Sequence, residues 1–212
     1  MAVRSTNLLE PSLLGVVLCG GLSSRLGQNK AKLALNLGAP TILERTYGIL
    51  KECLVNCVLM GRDTLEDERT LSDHCPRIGP IGGIITALYE ARKRNLGGIL
   101  ALPCDMPFLD PKVIKELIRQ YQLSQMRGAN FCQFVWCERD SLRQQNLTAI
   151  YLTEAIHFFE ESIAKGEYAL NRVIPKDLVQ TLMYDKEYAK YFYNINTQRD
   201  LEKARAMLND SQ

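Results

Sequence analysis

The sequence predicts an α/β fold: a mostly parallel sheet covered by helices on both faces. Short, continuous apolar runs alternate along the chain with segments of helical periodicity, as is typical of strands buried between two helical layers. No linker rich in Pro, Gly or Ser, no internal repeat and no low-complexity stretch divides the 212 residues. A single domain over residues 1–212 is therefore expected.

The apolar runs and the breakers between them give the order of the elements. Strands are expected at residues 16–19, 55–60, 99–102, 131–136 and 147–152. Helices are expected at residues 41–52, 82–94, 113–123, 153–164 and 197–207. Asp110 is suited to cap the third helix, with Pro111 in its first turn, and Thr153 is suited to cap the fourth.

Composition and charge are those of an ordinary soluble enzyme. Charged residues make up 24% of the chain and the formal net charge is +2, too small to indicate a nucleic-acid or membrane partner. The apolar run at residues 13–19 is too short to span a membrane and lacks the layout of a signal peptide. Seven cysteines include no CxxC pair, so reduced thiols and a cytoplasmic location are expected.

The most informative segment leads from the first strand into a glycine turn and a polar loop. Gly20 and Gly21 follow the apolar run, and the loop then carries Arg25 and Lys30. Glycines let the backbone bend tightly and approach a ligand. Backbone amides with two nearby cations suit a polyphosphate. The segment therefore predicts a nucleotide site near the N-terminus.

A second candidate follows the third predicted strand, where Asp105 stands between Pro103 and Pro107. Ligands bind beyond the carboxyl ends of strands in such sheets, so Asp105 and Gly20 are expected at one edge. Mg²⁺ prefers one or two carboxylates together with phosphate oxygens. This preference favours Asp105 as a magnesium ligand over the alternative, a solvated turn residue.

Two further segments accompany these. Residues 78–83 place three glycines and Pro80 before a helix, which permits either a close ligand approach or a plain helix start. Residues 193–197 carry Asn194 and Asn196, whose side chains would project to the same side of an extended segment. Thr197 is alternatively a plain helix cap.

Taken in this order, the four segments resemble the molybdenum cofactor guanylyltransferases. GVVLCGGLSSRLGQNKAKL resembles the signature loop of that family, and GPIGG, LPCDMPFL and NINTQRDL resemble its later motifs at similar separations. The resemblance implies a three-layer α/β/α, Rossmann-like nucleotidyltransferase fold. It also implies a reaction: GMP passes from GTP to the phosphate of the molybdenum cofactor (molybdopterin), pyrophosphate leaves, and molybdopterin guanine dinucleotide forms.

The resemblance further implies roles for individual residues. Catalytic roles fall on Arg25, Lys30 and Asp105, with Mg²⁺ on Asp105. Contacts with the two substrates fall on Leu18, Cys19, Gly20, Gly21, Lys30, Asp73, Asp105, Arg172, Asn194 and Asn196. Asp73 is the candidate for the guanine nucleotide, whereas Arg172 and the two asparagines would serve the cofactor. The N-terminal part would thus bind the nucleotide and the C-terminal part the cofactor, with transient contact to proteins that mature molybdoenzymes.

Three departures from the family pattern leave alternatives open. Asn29 replaces an acidic residue, Cys19 an Ala, and Gln198 a Pro. Gly20 favours GTP, because relatives that use CTP tend to carry Ala-Gly at this position. A transferase that uses CTP or another phosphate acceptor remains an alternative, as does a GTP-binding module without turnover, which the change at Asn29 would permit. A dinucleotide-binding domain is disfavoured, since its G-x-G-x-x-G pattern and ribose-binding acid are missing.

Overall fold

The computed structural model describes residues 11–20, 33–36, 38–61, 70–75 and 77–209. Their strands are β1 (Leu13–Leu18), β2 (Cys57–Met60), β3 (Thr70–Leu71), β4 (Gly98–Pro103), β5 (Gln133–Glu138), β6 (Gln144–Leu152) and β7 (Val179–Tyr184). They form one sheet in the order β3-β2-β1-β4-β6-β5-β7. β6 runs antiparallel to β4 and β5, and the other neighbouring pairs are parallel. The mostly parallel sheet is confirmed.

Helices cover both faces of this sheet. They are α1 (Ile42–Cys53), α2 (Pro80–Lys93), α3 (Pro111–Met126), α4 (Ile156–Ala164) and α5 (Gln198–Asn209). α1 and α3 pack on one face in a cluster that includes Leu50, Leu117 and Phe134. α2 and α4 pack on the other, in a cluster that includes Ile84 and Phe159. The predicted three-layer arrangement is confirmed.

The run of apolar residues in β1 follows from its position between these layers. Successive side chains of a strand point to opposite faces, so Leu13 and Val17 join the α1/α3 cluster. Leu14 and Val16 join the α2/α4 cluster. All four are at most 1% exposed, and at about 1.5–3 kcal/mol for each buried aliphatic side chain such burial dominates the stability of the sheet.

The start of α4 corrects one expectation. Thr153 was expected to cap a helix, yet Thr153–Ala155 forms a 3-10 turn without a side-chain cap, and α4 begins only at Ile156. The Thr153 hydroxyl instead donates to the carbonyl of Gly97, at 3.3 Å. That bond ties the turn to the start of β4, so the hydroxyl does not cap the helix.

No helix in the described part of the chain is long and apolar enough to cross a membrane.

A small third cluster attaches α5 to the rest of the fold. It consists of buried residues from α5, α1 and two connecting segments: Leu33, Ile42, Ile195, Leu201 and Ala204. Arg205 adds a 2.8 Å hydrogen bond from its Nε to the carbonyl of Leu35. The cluster fixes the segment before α5 against the edge of the sheet where β1 and β4 end.

Candidate functional site

The candidate site lies where β1, β2 and β4 end. Leu18 at the end of β1 is in register with Met60 on β2 and Pro103 on β4. The amide of Cys104 donates to the carbonyl of Leu18 at 3.3 Å. The residues that follow these strands, Gly20 and Asp105 among them, therefore share one edge, as the sequence predicts.

The turn after β1 depends on two glycines that touch. The amides of Cys19 and Gly20 both donate to the carbonyl of Met60, at 2.8 and 3.1 Å. A Cβ atom on Gly61 would lie only 2.5 Å from the nitrogen of Gly20, closer than any side chain permits. The close approach of the two backbones therefore requires glycine at position 61, whereas a Cβ on Gly20 would lie 3.2 Å from Cα of Gly61.

Cys19 contributes a neutral group to this turn. Its Sγ donates to the carbonyl of Met60 at 3.2 Å, and burial raises the pKa of the Cys19 thiol to about 11. A thiol with this pKa stays protonated at neutral pH. Cys19 therefore places no negative charge at this turn and offers no thiolate nucleophile.

The first turn of α2 packs against the same edge. A Cβ atom on Gly83 would lie 3.1 Å from Cγ of Met60 and 3.4 Å from Cδ2 of Leu18. Gly79 precedes the helix with φ of 80°, and Pro80 starts it. The first turn carries no acidic residue, so the positive end of the helix dipole faces this edge without a side-chain counterion from that turn.

Asp73 lies beside that helix start. Its Oδ1 accepts a 2.8 Å hydrogen bond from the amide of Cys75. A Cβ atom on Gly82 would lie 3.0 Å from Oδ1 and 3.2 Å from Oδ2 of Asp73. The carboxylate therefore packs directly on α2, two residues after β3 ends. The structure brings Asp73 to the predicted edge, and its contact with the nucleotide stays a prediction.

Asp105 is joined to the C-terminal segment by a backbone hydrogen bond. The amide of Ile195 donates to the carbonyl of Asp105 at 2.9 Å. Oδ1 of Asp105 is buried, and so is Oδ1 of Asn194, which has no hydrogen-bond partner among the described residues. Two buried oxygen atoms from distant segments thus lie at the same edge.

These oxygens suit a hard divalent cation. The described residues hold no group of three or more His, Cys, Asp or Glu that would complete a metal site from protein alone. Mg²⁺ does not need one, since it takes one or two carboxylates and fills its shell with phosphate oxygens and water. Asp105 fits that pattern as a protein carboxylate at this edge.

The segment that carries Asn196 is held by a reciprocal helix cap. Oδ2 of Asp200 accepts from the Asn196 amide at 3.1 Å, the Thr197 amide at 2.8 Å and the Thr197 hydroxyl at 2.9 Å. The Thr197 hydroxyl accepts in turn from the Asp200 amide at 3.2 Å. These bonds, led by the one from Thr197, lower the pKa of Asp200. Thr197 therefore caps α5, and the cap also orients Asn196.

Asn194 and Asn196 both line a cavity of about 330 Å³ beyond Asp105. Its wall also includes residues from the ends of β5 and β7, the turn after β5 and the start of β6, namely Glu138, Tyr184, Arg143 and Gln145. Both asparagines border this cavity, and the projection of their side chains to one side stays a prediction. The sequence reasoning missed the other four residues, because their proximity depends on the pairing of β5 with β6 and β7.

Comparison with known proteins agrees with this geometry. A family model described as a MobA-like NTP transferase domain matches residues 15–205.

The chain belongs to this family. The MobA-like family is one of nucleotidyltransferases, so the protein is a nucleotidyltransferase. A probable molybdenum cofactor guanylyltransferase of Pelotomaculum thermopropionicum is 34% identical over an alignment of 211 residues, which covers 93% of this chain and 94% of the relative. The predicted family is confirmed.

Two solved structures share the fold of this chain. Molybdopterin-guanine dinucleotide biosynthesis protein A from Archaeoglobus fulgidus superposes with a TM-score of 0.66 at 23% identity, over 93% of this chain and 100% of that chain. A Mycobacterium tuberculosis protein solved in complex with manganese gives a TM-score of 0.55 at 14% identity, over 90% of this chain and 96% of that chain. At these identities the likeness shows the fold alone.

The remaining predicted residues of this MobA-like chain fall into two groups. Gly21, Arg25 and Lys30 lie outside the described residues, as does Asn29. Arg172 is exposed at the end of the one-turn 3-10 helix Leu170–Arg172. It is not part of the wall that carries the two asparagines. Its contact with the cofactor phosphate stays a prediction that the described geometry does not support.

Proposed function

We propose that this nucleotidyltransferase transfers GMP from GTP to the terminal phosphate of molybdopterin. The observation that carries the proposal is the hydrogen bond from the Ile195 amide to the Asp105 carbonyl. It holds the asparagine segment beside the candidate metal ligand, so a nucleotide and an acceptor bound at these segments would meet. The name of the Pelotomaculum relative, a probable molybdenum cofactor guanylyltransferase, supports the choice of substrates.

The proposed reaction does not require a side chain to act as a nucleophile or as a general base. An oxygen of the acceptor phosphate bonds to the α-phosphorus of GTP, and the bond from that phosphorus to the oxygen bridging to the β-phosphate breaks. Pyrophosphate leaves with the electron pair. Because the acceptor phosphate is already ionised at neutral pH, the chain need not supply a general base. Both histidines, His74 and His157, are exposed, and the buried Cys19 thiol is neutral.

Positioning and charge are then the main contributions of the protein. The backbone at Leu18, Cys19, Gly20 and Gly21 would hold the nucleotide, with Asp73 against its guanine. Arg25 and Lys30 would offset the charge of the departing pyrophosphate. Asn194 and Asn196 would orient the acceptor, with Arg172 as a candidate for its phosphate. Proteins that mature molybdoenzymes would receive the product by transient contact.

Asp105 would hold the divalent cation, which we take to be Mg²⁺. When bound, Mg²⁺ supplies charge neutralisation at the reacting phosphates. The buried Oδ1 of Asp105 and its tethered backbone keep the carboxylate in one place. The manganese complex of the Mycobacterium tuberculosis protein supports a divalent cation in this fold.

A pyrophosphate-release assay tests the proposal directly. Purified protein would be incubated with Mg²⁺, molybdopterin and each of the four nucleoside triphosphates, with parallel reactions that omit molybdopterin. Release with GTP that requires molybdopterin is the expected result. Release with CTP alone would select the related cytidylyl activity. GTP binding without release would instead favour a regulatory module, the alternative that Asn29 keeps open.

Two variants and a matched control complete the assay. Asp105→Ala and Lys30→Ala should each abolish turnover without unfolding the protein. Asp177→Ala alters an exposed carboxylate in the 3-10 turn Lys176–Leu178, which leads into the amino end of β7, and should leave turnover unchanged. Turnover retained in either of the first two variants would remove that residue from the mechanism.

A further inference from the structure

The cavity beyond Asp105 combines polar and aromatic groups in one wall. Glu138, Arg143 and Gln145 come from the adjoining ends of β5 and β6, and Tyr184, Phe192 and Tyr193 follow from β7 onward. Its volume of about 330 Å³ lies at the lower end of the range for small-molecule sites. A single bicyclic heteroaromatic ring is a suitable occupant for a space of this size.

We infer that the carboxylate of Glu138 recognises the 2-amino edge of the acceptor's pterin ring in this cavity. The inference rests on the proposed function, since it names a specificity-determining residue for the same acceptor. A pterin presents two neighbouring donors on that edge, the N3–H and the 2-amino group. An ionised carboxylate only accepts hydrogen bonds, and its two oxygens match such a pair of donors.

Glu138 is held for this role by the turn between β5 and β6. Its amide donates to the carbonyl of Arg143 at 3.0 Å, which closes the turn. The hydroxyl of Ser141 donates to Oε2 of Glu138 at 2.5 Å. The carboxylate is therefore oriented before any ligand arrives, which lowers the ordering cost of binding.

The floor of the cavity offers a matching group for the ring carbonyl. Gln145 is only 8% exposed, and its Nε2 donates to the hydroxyl of Tyr184 at 2.7 Å. The hydroxyl acts as the acceptor in that bond, so its own hydrogen can point into the cavity. It can then donate to the 4-oxo group, which lies next to N3 on a pterin.

Aromatic side chains form part of the cavity wall. The rings of Tyr184 and Phe192 lie with their centroids 4.5 Å apart and their planes at 35°, and Tyr193 also borders the cavity. Heteroaromatic rings gain affinity by stacking on aromatic side chains. The aromatic part of the wall is therefore compatible with a planar ring.

The position of Asn194 gives the bound ring a direction. Asn194 lines the cavity, its buried Oδ1 has no hydrogen-bond partner in the described part of the chain, and its neighbour Ile195 binds the backbone of Asp105. If Glu138 binds the 2-amino edge of the ring, the substituents at the opposite end of the ring would extend past Asn194. Those substituents carry the phosphate toward Asp105, where nucleotidyl transfer would occur.

The test compares two free ring probes that differ only at the edge that Glu138 reads. Pterin carries a 2-amino group, whereas lumazine carries a 2-oxo group in its place. Fluorescence titration would measure the Kd of each probe for the wild-type chain, Glu138→Gln and Glu161→Gln. Glu161 is an exposed α4 residue paired with Lys165 and is not part of the cavity wall, so it serves as the matched control.

We expect the wild-type chain to bind pterin at least about tenfold more tightly than lumazine. Glu138→Gln should reduce or reverse that preference, because an amide presents one donor and one acceptor, which complement N3–H and the 2-oxo group. Glu138→Asp, which keeps the carboxylate, should retain the preference for pterin at lower affinity. Equal binding of both probes by the wild-type chain, or an unchanged preference in Glu138→Gln, would overturn the inference.

The same variants separate this inference from the proposed function. Molybdopterin-dependent pyrophosphate release together with an unchanged probe preference in Glu138→Gln would reject the pterin subsite and retain the transferase. The expected probe preference without any nucleotidyl transfer would reject the transferase and retain the ring site. GTP affinity should be unaffected in Glu138→Gln, because this residue lies beyond Asp105 from the glycine turn.

Discussion

The amide of Ile195 donates a 2.9 Å hydrogen bond to the carbonyl of Asp105. Ile195 itself is fully buried, in the small cluster that also contains Leu33 and Ile42. A hydrogen bond between two backbones holds Ile195 beside Asp105, whereas Asn196 and Thr197 beyond it are bound to Asp200. The candidate metal ligand and the start of the candidate acceptor segment therefore form one unit, although they come from different halves of the chain.

Asp105→Asn tests whether the charge of this unit is needed. The amide has the shape of the carboxylate but no negative charge, so it should hold Mg²⁺ poorly while the fold is kept. Turnover should fall about 100-fold or more, and the free energy of unfolding should change by less than about 1 kcal/mol. Pyrophosphate release and urea denaturation would measure the two effects.

Asp177→Asn is the matched control, since it makes the same change at an exposed position. Asp177 precedes the amino end of β7, away from the carboxyl ends of the strands where Asp105 lies. Its turnover should equal that of the wild-type chain. If Asp105→Asn also kept wild-type turnover, the metal would have to be held by residues other than Asp105.

The local signals in the sequence were sufficient for most of the sheet and helices. The periodicity of residues 41–52 predicts a buried stripe of five residues, and these are the five that α1 buries: Ile42, Leu43, Thr46, Ile49 and Leu50. Thr41 and Glu44 add a reciprocal cap that fixes where the helix starts. Such features depend on neighbours along the chain, so they are visible without the fold.

Nonlocal pairing explains what the sequence did not reveal. β7 is an edge strand, and Met183 within it is 38% exposed, so it lacks the continuous apolar run of β1 or β4. β3 has only two residues, too few for any periodicity. Glu138 and Tyr184 meet only because β5 pairs with β7. The cavity wall was therefore unpredictable until the strand order was known.

Gly82→Ala tests the contact between Asp73 and the start of α2. The new Cβ would lie 2.3 Å from the carbonyl of Cys75 and 3.0 Å from Oδ1 of Asp73, so the segment after β3 must move. We expect a loss of roughly 1–3 kcal/mol in stability and a clear rise in the Kd for GTP. Isothermal titration calorimetry and urea denaturation would measure these two quantities.

Gly48→Ala is the control for this prediction, because a Cβ at that α1 position meets nothing within 4 Å. It should stabilise the chain by about 0.5–1 kcal/mol, since Ala is the better helix former, and leave GTP binding unchanged. Wild-type GTP affinity in Gly82→Ala would remove Asp73 from the nucleotide site.

Cys19→Ala tests the neutral thiol. Its pKa, raised by burial to about 11 from the ordinary 9.0, keeps it protonated at neutral pH, so turnover should stay within about twofold of wild type. The carbonyl of Met60 would still accept hydrogen bonds from the backbone amides of residue 19 and Gly20 after the change. A large loss of turnover would show that the sulfur takes part in catalysis.

The same thiol affects stability at alkaline pH. The unfolded chain releases this proton above about pH 9 while the folded chain retains it, so stability falls as pH rises toward about 11. Burial likewise raises the pKa of Cys57 to about 11, so Cys19→Ala should remove only part of this alkaline loss. Denaturant midpoints at a series of pH values would measure it, and an unchanged alkaline slope would contradict the burial of Cys19.

Asp200→Ala tests whether the cap of α5 orients the acceptor segment. The change removes the acceptor for three hydrogen bonds from Asn196 and Thr197. KM for molybdopterin should rise severalfold, whereas the Kd for GTP should not change, because the glycine turn lies on the other side of Asp105. Steady-state kinetics and calorimetry would separate the two, with Glu202→Ala as an exposed control on the same helix.

The pH dependence of stability gives this prediction a second readout. The hydrogen bonds lower the pKa of Asp200 below its ordinary 3.8, so its contribution is present above that value and is lost as pH falls through the lowered pKa. Asp200→Ala should therefore flatten the acid limb of the stability curve. If the Kd for GTP rose as much as the KM for molybdopterin, Asp200 would be needed for the structure of the whole edge of the sheet. Loosening the asparagine segment alone would leave GTP binding unchanged.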